Sequence, residues 1–167
     1  NYLDGGYHVD ILHKGLANQL DMQEYKVQNF SSWTLQSCEA SKDAATLNGD
    51  FKDRIGNGAL YAWLYPNFVI NRYGPIMDTN WIVPLGKDKC VTIFDYYYSS
   101  DCSQDFIEKS LIASDKVQEE DIQISESVQR GLNSSAYHVG RYSATLETGM
   151  HLFHKWLHQD LTQEVLR

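Results

Sequence analysis

The chain has 167 residues, of which 43% are hydrophobic and 13% aromatic, which is typical of a single folded domain rather than of a disordered segment. Its 14 Lys and Arg against 22 Asp and Glu give a formal net charge of −8, so we expect no nucleic acid partner. No apolar run approaches the ~20 residues that span a bilayer, so we expect no membrane partner either.

Three scattered cysteines, Cys38, Cys90 and Cys102, are too few for a disulfide framework. They favour a reducing compartment, and we expect a cytoplasmic protein. The chain begins with Asn1 rather than Met, so we expect it to be a piece of a longer protein.

The first third of the chain predicts short helical structure followed by a strand and a loop. Residues 1–20 predict a short helix or turn around His8 and His13. Residues 24–35 are rich in aromatic and β-branched types and predict a strand. The polar residues 39–58 predict a mobile loop, with turn signals at both of its Asn-Gly pairs.

Three further strands are expected in the middle of the chain. Residues 59–71 are apolar, aromatic and β-branched, and Pro66 within them predicts a bulge or an edge position. A turn follows over residues 71–75. Residues 79–85 and 90–98 predict a hairpin joined by a polar turn.

Two helices are expected at the end of the chain, over residues 103–132 and 144–166. In the second, the spacing predicts inward packing of Met150, Phe153, Leu157 and Leu161. The same spacing predicts a polar or interface stripe of His151, His154 and His158. Strands followed by long helices indicate an α+β fold, with a curved antiparallel sheet around a long C-terminal helix.

The first of these helices carries Asp121 within an apolar stripe that also contains Val117, Ile124, Val128 and Leu132. We expect the apolar members to face the core, and the neighbouring Glu119, Glu120 and Glu126 to lie on the solvent face. A carboxylate on a buried stripe is costly unless it is paired or bound to a cation. Asp121 therefore sits at the edge of the stripe, pairs with an arginine such as Arg72 or Arg130, or binds a metal.

His8 and His13 supply candidate partners for such a metal. Five residues correspond to about 140° on a straight helix, so both imidazoles reach one ion if the helix ends or kinks between them. Two His and one Asp make a facial triad, which leaves positions open on the metal and suits non-haem Fe(II) and oxygen. The alternative is a pair of surface or core histidines without a metal.

Three separated motifs add a resemblance to a known family. The segment from Asn1 to His8, continued to His13, resembles the iron-binding segment of Rieske-type non-haem iron oxygenases. Residues 117–121 and 126–132 resemble the stretch that carries the third iron ligand of that family. Residues 65–68 and 70–75 are similar to the branch that acts on quaternary ammonium compounds.

The resemblance implies a helix-grip catalytic domain over residues 1–167, with mononuclear Fe(II) held by His8, His13 and Asp121. Asn1 would lie close to the metal in a second layer. Ring-hydroxylating members have an electron-bridging acid three residues before the first His, where this chain has Gly5. Asp4, one residue earlier, is the candidate for that bridge.

The resemblance also implies an N-terminal domain with a Rieske [2Fe-2S] cluster, which needs paired Cys-x-His and Cys-x-x-His motifs. The three cysteines lie in neither motif, so the cluster is expected outside this chain, and the chain is expected to be inactive without it. Further implied partners are O2, a small-molecule substrate, and a ferredoxin or flavin reductase as electron donor. A homotrimer is implied for the full-length protein.

The implied reaction is hydroxylation of a small quaternary ammonium substrate, such as choline, by a monooxygenase. Aromatic side chains bind such cations, and the candidates on the strands are Trp63, Tyr65, Phe68, Tyr73, Trp81 and Tyr96. Ordinary core packing is the alternative for these six. The alternatives for the whole chain are an aromatic-ring-hydroxylating dioxygenase, a ligand-binding module with a vestigial metal site, and a zinc-dependent hydrolase.

Overall fold

The computed structural model of the chain describes residues 2–41 and 54–162. Within those residues the structure has a six-stranded sheet whose strands follow one another in sequence order, each antiparallel to the next. The strands are β1 (Lys26–Asn29), β2 (Trp33–Glu39), β3 (Gly58–Leu64), β4 (Phe68–Tyr73), β5 (Ile76–Pro84) and β6 (Cys90–Tyr98). The predicted α+β class and antiparallel sheet are therefore confirmed.

Helices lie at both ends of the chain. Before the sheet come α1 (Tyr7–Leu12), α2 (Lys14–Ala17) and a 3-10 turn at Met22–Glu24. After it come α3 (Gln104–Leu132) and α4 (Thr148–Thr162). The Ser103 side chain caps α3 by accepting a hydrogen bond from the Phe106 backbone N–H at 3.2 Å. Among the helices described, none is both long and apolar enough to cross a membrane.

Two segments that were each predicted as one strand form parts of two strands in the structure, so both predictions are wrong. Residues 24–35 contain β1 and the start of β2, joined by a turn across which Phe30 and Trp33 stack with ring centroids 4.0 Å apart. Residues 59–71 are divided between β3 and β4, and Pro66 lies in the turn between them rather than in a bulge. Proline has no N–H for the strand ladder, so it favours reversing the chain here.

The other predicted boundaries fall close to the observed ones. Strand β6 matches residues 90–98, whereas β5 starts three residues before the predicted position. β4 continues through Tyr73, so the turn after it is confined to Gly74 and Pro75. Most of the predicted mobile loop, residues 42–53, lies outside the described residues, and so do residues 163–167 beyond α4.

The inner face of the sheet carries a polar row through its centre. The strand register places Gln36, Tyr61, Asn71, Asp78 and Tyr96 side by side across β2 to β6. Apolar clusters lie on either side of this row. One contains Leu20, Ala59, Tyr73 and Ile76, and the other contains Leu3, Trp63 and Val69. The middle of the inner face is thus built for polar contacts, which is uncommon for a sheet that only forms a core.

The prediction that the apolar stripe of α3 faces the core is wrong from Ile124 onward, whereas Val117 is half-buried. Ile124, Val128 and Leu132 are 40%, 52% and 48% exposed. The buried members of α3 are Ser110 and Ser114, in its first half. The apolar period is present, but beyond Asp121, whose carboxylate contacts His13, every side chain of the helix is exposed except the half-buried Gln129.

Helix α4 packs through a different set of residues from the predicted one. Met150 and Phe153 do contact the Trp63 cluster, but Leu161 is exposed, so that part of the prediction is wrong. Trp156 contributes instead, stacked on Trp63 with ring centroids 5.8 Å apart. His151, His154 and His158 are exposed, as a polar stripe should be, and the Tyr142 hydroxyl hydrogen bonds to His154 Nδ1.

Candidate metal centre

Asp4 fixes the start of α1 and with it the first histidine. Its carboxylate accepts hydrogen bonds from the backbone N–H groups of Gly6 at 3.1 Å and His8 at 2.9 Å. The same carboxylate lies 2.9 Å from His8 Nδ1. Gly5 and Gly6 have φ values of 66° and 83°, which glycine adopts without steric cost. These two glycines turn the chain so that Asp4 reaches back over α1.

The chain direction changes at the second histidine. His13 ends α1 and begins α2, with φ −97° and ψ 60°, outside helical geometry. This break brings the two imidazoles together, with ring centroids 5.1 Å apart and planes at 84°. The helix therefore ends between the two histidines, as a metal site shared by both requires.

Asp121 approaches both histidines from α3. Its Oδ1 atom lies 3.2 Å from His13 Nε2 and 4.0 Å from His8 Nε2. One donor atom from each of the three residues lies within 4.8 Å of the other two. Metal bonds of about 2.1 Å at right angles would separate neighbouring donor atoms by about 3 Å. The three side chains thus converge at a spacing that fits a facial metal triad.

The outer nitrogens of both imidazoles face carboxylates. His8 Nδ1 faces Asp4, and His13 Nδ1 lies 2.8 Å from Glu120 Oε2. The prediction that Glu120 points to solvent is therefore wrong. Carboxylates on Nδ1 leave Nε2 of each ring as the free donor for a metal, which is the usual second layer of a histidine–metal site.

The electrostatics of His13 follow from its two carboxylate neighbours. Burial lowers the pKa of His13, whereas its hydrogen bonds to Asp121 and Glu120 raise it, and the net shift is upward. Two carboxylates facing one buried imidazole make a site that attracts positive charge. A divalent cation between Nε2 and Asp121 would supply that charge.

Two of the remaining sequence expectations concern neighbours of the triad. Asn1 lies outside the described residues, so its expected place near the metal stays a prediction. Arg130, an expected partner of Asp121, lies 4.0 Å from Glu126 on the exposed surface of α3.

The six aromatic candidates fall into three places. Trp63 and Tyr65 pack against α4, where the Tyr65 hydroxyl donates a hydrogen bond to Asp160 at 2.5 Å. Phe68 and Trp81 are paired across β4 and β5, and Trp81 is half exposed. Tyr73 and Tyr96 lie on the inner face.

Asp78, a residue that sequence reasoning missed, lies at the centre of the inner face. Its carboxylate accepts hydrogen bonds from the Tyr73 hydroxyl at 2.7 Å and from the Asn71 and Asn80 amides at 2.8 and 2.6 Å. Tyr96 is its direct cross-strand neighbour. A single Asp in a strand of mixed polar and apolar residues gives no signal until the strand register is known.

Burial and the Asp78 charge both act on the tyrosines around it. Burial raises the pKa of Tyr73, and the Asp78 carboxylate raises it further. The pKa of Tyr96 is raised first by burial, although its hydrogen bond to Ser114 opposes the shift. The Arg54 guanidinium lies 5.3 Å from the Tyr73 ring centroid and donates a hydrogen bond to Ser114 at 2.6 Å. This part of the inner face already holds one cation against an aromatic ring.

The network around Asp78 is connected to α3 on the face that carries Asp121. Ser114, which contacts Tyr96, precedes Asp121 by seven residues, or about two turns. Residues seven apart share a helix face and are separated by about 10 Å along the axis. Ser114, where this network meets α3, therefore lies about two helical turns from Asp121 of the metal triad.

Comparison with known proteins defines the class. The sequence matches the ring-hydroxylating alpha subunit, catalytic domain, over residues 1–163, and the chain belongs to this family. The family comprises the catalytic domains of Rieske-type oxygenases.

Two individual proteins illustrate which members of the family are similar to this chain. The chain is 50% identical over 163 residues to the chloroplastic choline monooxygenase of Arabidopsis thaliana, an alignment that covers 96% of this chain and 38% of the relative. It is 30% identical over 144 residues to the carnitine monooxygenase oxygenase subunit of Escherichia coli K12, covering 82% of this chain and 37% of that protein. The chain thus spans well under half the length of these relatives.

A solved structure shares the fold. A quaternary ammonium Rieske monooxygenase, described in connection with carnitine oxidation and inter-subunit electron transfer, superposes with a TM-score of 0.75 at 21% identity. The superposition covers 95% of this chain and 45% of that structure. The shared fold extends over nearly all of the chain.

Proposed function

We propose that this chain is the catalytic domain of a Rieske monooxygenase that hydroxylates a small quaternary ammonium substrate such as choline. The observation that carries the proposal is the convergence of His8, His13 and Asp121 with both Nδ1 atoms held by carboxylates. Family membership supports mononuclear Fe(II) as the metal, and a sheet with long helices over it is consistent with a helix-grip fold.

The bound iron would supply reductive activation of O2. His8 and His13 would hold the ion through Nε2 and Asp121 through a carboxylate oxygen, and three protein ligands suit a metal that reacts with O2. Insertion of one oxygen atom into the C–H bond at the alcohol carbon of choline gives the aldehyde hydrate. Two electrons and two protons convert the second oxygen atom to water, which balances the reaction.

The inner-face network supports a cationic substrate. A quaternary ammonium group has no N–H to donate and is held by aromatic faces and nearby negative charge. Asp78, Tyr73 and Tyr96 supply both, and Tyr96 contacts Ser114 on the helix that carries Asp121. An aromatic-ring substrate would favour an apolar slot, and the carboxylate in this position argues against it.

Asp4 is the proposed electron bridge. It is bonded to His8 Nδ1 and is therefore next to the metal ligand, although the family position for the acid is Gly5. A Cβ at Gly5 would overlap the Leu146 carbonyl, so no acid fits at that position without movement. The Rieske [2Fe-2S] cluster is proposed in a part of the full-length protein outside this chain, reduced by a ferredoxin or flavin reductase.

A homotrimer is proposed for the full-length protein. The exposed apolar residues Ile124, Val128 and Leu132 on α3 are consistent with a contact between subunits. The plant relative is named chloroplastic, so we propose a chloroplast location here in place of the cytoplasm expected from the sequence. Three free thiols fit either compartment if it is reducing.

The first test is metal content of protein purified without oxygen. Near-stoichiometric iron is expected in the wild type and in the surface control Glu126→Ala, with loss of iron in Asp121→Ala. Zinc in place of iron would favour a hydrolase. A folded protein that holds no metal in any variant would favour a ligand-binding module and would refute the proposed reaction.

The second test concerns the substrate. Calorimetric binding of choline is compared with binding of its neutral carbon analogue, in which a quaternary carbon replaces the nitrogen. Tighter binding of choline, weakened in Asp78→Asn, is expected from the inner-face network. Equal binding of the two compounds, or preference for an aromatic compound, would contradict a quaternary ammonium substrate.

A further inference from the structure

The contact between Glu120 and His13 carries an inference beyond the iron ligands. We propose that Glu120 is a positioning residue for His13: it accepts the hydrogen bond from Nδ1–H and thereby keeps Nε2 directed at the metal. This inference rests on the proposed metal site. It assigns a role to a carboxylate that the sequence pattern placed on the solvent face.

Geometry separates Glu120 from the ligand set. Its Oε2 atom is 2.8 Å from His13 Nδ1, whereas Asp121 Oδ1 is 3.2 Å from Nε2 of the same ring. The two nitrogens of an imidazole point away from each other, so the two carboxylates lie at opposite edges of the ring. A metal held by Nε2 and Asp121 is therefore out of reach of Glu120.

The helix explains how one imidazole meets two consecutive carboxylates. Neighbouring residues on α3 project about 100° apart around its axis. The His13 ring lies between these two directions and faces one carboxylate with each nitrogen. Substituting either residue changes only one edge of the ring, so the two roles are separable by mutation.

Burial gives the contact its importance. The His13 side chain is 2% exposed and the Glu120 side chain is 31% exposed. A neutral imidazole that coordinates through Nε2 carries its proton on Nδ1, and a buried N–H without an acceptor is costly. Water does not readily replace Glu120 as the partner of a buried ring. Loss of Glu120 therefore favours the tautomer with its proton on Nε2, or a rotated ring. Either change weakens metal binding.

Asp4 and His8 repeat the same arrangement on the other histidine, with Nδ1 on a carboxylate and Nε2 toward Asp121. Asp4 also accepts two backbone hydrogen bonds, so its replacement disturbs α1 as well as the ring. Glu120 has a partly exposed carboxylate on a long helix. It is thus the better position for testing the effect of such a contact on the metal.

The experiment measures Co²⁺ affinity of the full chain by competition with a chromophoric chelator. Glu120→Ala is expected to weaken binding about 10- to 100-fold, as is typical for partners of metal-bound histidines. Glu120→Gln keeps an acceptor oxygen and should lose less. Glu119→Ala, an exposed neighbour on the same helix, is the matched control and should bind as the wild type does.

A second measurement reports the hydrogen bond directly. In Zn²⁺-loaded protein, the His13 Nδ1 proton should give a downfield NMR signal protected from exchange. The signal should persist in Glu120→Gln and Glu119→Ala and be lost in Glu120→Ala. Thermal melting of the metal-free variants checks folding, and Glu120→Gln decides the outcome if the alanine variant does not fold.

Three results would overturn the inference, and they are distinguishable from one another. If Glu120→Ala binds Co²⁺ as tightly as Glu119→Ala while Asp121→Ala loses it, the triad stands and Glu120 has no positioning role. If Asp121→Ala also binds as the wild type does, the metal site itself is refuted and the role of Glu120 with it. Weaker binding by Glu120→Gln than by Glu120→Ala would likewise contradict the role as acceptor.

Discussion

Replacement of Asp4 by alanine tests whether one buried carboxylate organises the start of the site. The substitution removes the acceptor for two backbone N–H groups of the first turn of α1 and for His8 Nδ1. Loss of a helix-capping side chain costs about 1 kcal/mol, and a hydrogen bond to a charged group about 1.5–3 kcal/mol. Because Asp4 is almost fully buried, solvent does not replace these partners. We expect the free energy of unfolding to fall by about 2–4 kcal/mol.

Urea unfolding of metal-free protein measures this loss. At a slope of about 2 kcal/mol per molar urea, the midpoint of Asp4→Ala should fall by about 1–2 M. Asp4→Asn keeps one acceptor oxygen, so its midpoint should lie between those of the wild type and Asp4→Ala. Asp10→Ala, which removes an exposed carboxylate from the same helix, is the control and should leave the midpoint near that of the wild type. Equal midpoints for Asp4→Ala and Asp10→Ala would refute the assignment of Asp4 as the residue that holds α1 and His8.

Two further substitutions test the surroundings of the site by the same assay. Gly5→Ala places a Cβ in left-handed backbone geometry, which costs about 1–2 kcal/mol, and against a backbone carbonyl. We therefore expect the free energy of unfolding to fall by more than that amount. The control Gly131→Ala has open space around it and should be neutral or stabilise the protein by up to about 1 kcal/mol. A tolerated Gly5→Ala would show that the turn before α1 is not fixed as described. Trp156→Ala removes the ring stacked on Trp63 and should lower the free energy of unfolding by about 2–4 kcal/mol, less than a fully buried Trp because the ring is half-buried. The exposed Lys155→Ala is its control, and similar midpoints for the two would mean that α4 contributes little to the core.

Local signals in the sequence were sufficient for the elements that depend on neighbouring residues. Strand β6 and the start of α3 follow from the polar turn before the strand and from the helical period, which act over a few residues. Pro66 was misread because its lack of an N–H is compatible with either a bulge or a turn. Only the pairing of β3 with β4 decides between them.

The sequence predicts the candidate site residues that depend on residue spacing along the chain. It does not predict those that depend on how helices and strands are placed beside one another. His8, His13 and Asp121 stood out by residue type and pattern, whereas Glu120 did not, because a helical wheel assigns neighbouring residues to different faces. The assumption fails here because the His13 ring lies edge-on between two helix faces and contacts a carboxylate on each. Asp78 gave no signal because its role depends on residues brought beside it by the register of three strands.

For the apolar stripe on α3 the sequence pattern is present, but the burial that it predicts is not. The period of Ile124, Val128 and Leu132 was read correctly, but a period does not say which element covers it. In the described chain α3 is exposed at nearly every residue beyond Asp121, and these three residues are among them. A sequence pattern predicts an apolar face and not its partner.

The division of the triad between the two ends of the domain has a mechanical consequence. His13 and Asp121 are 108 positions apart, and the second half of α3 has few buried residues of its own. An ion shared by the three side chains would fasten that helix to the N-terminal segment and close a loop of most of the chain, as a cross-link does. At a free metal concentration 100 times the Kd, such a fastening adds about 2.7 kcal/mol to the free energy of unfolding. Iron supply would then govern how firmly the domain is held together as well as whether it can react.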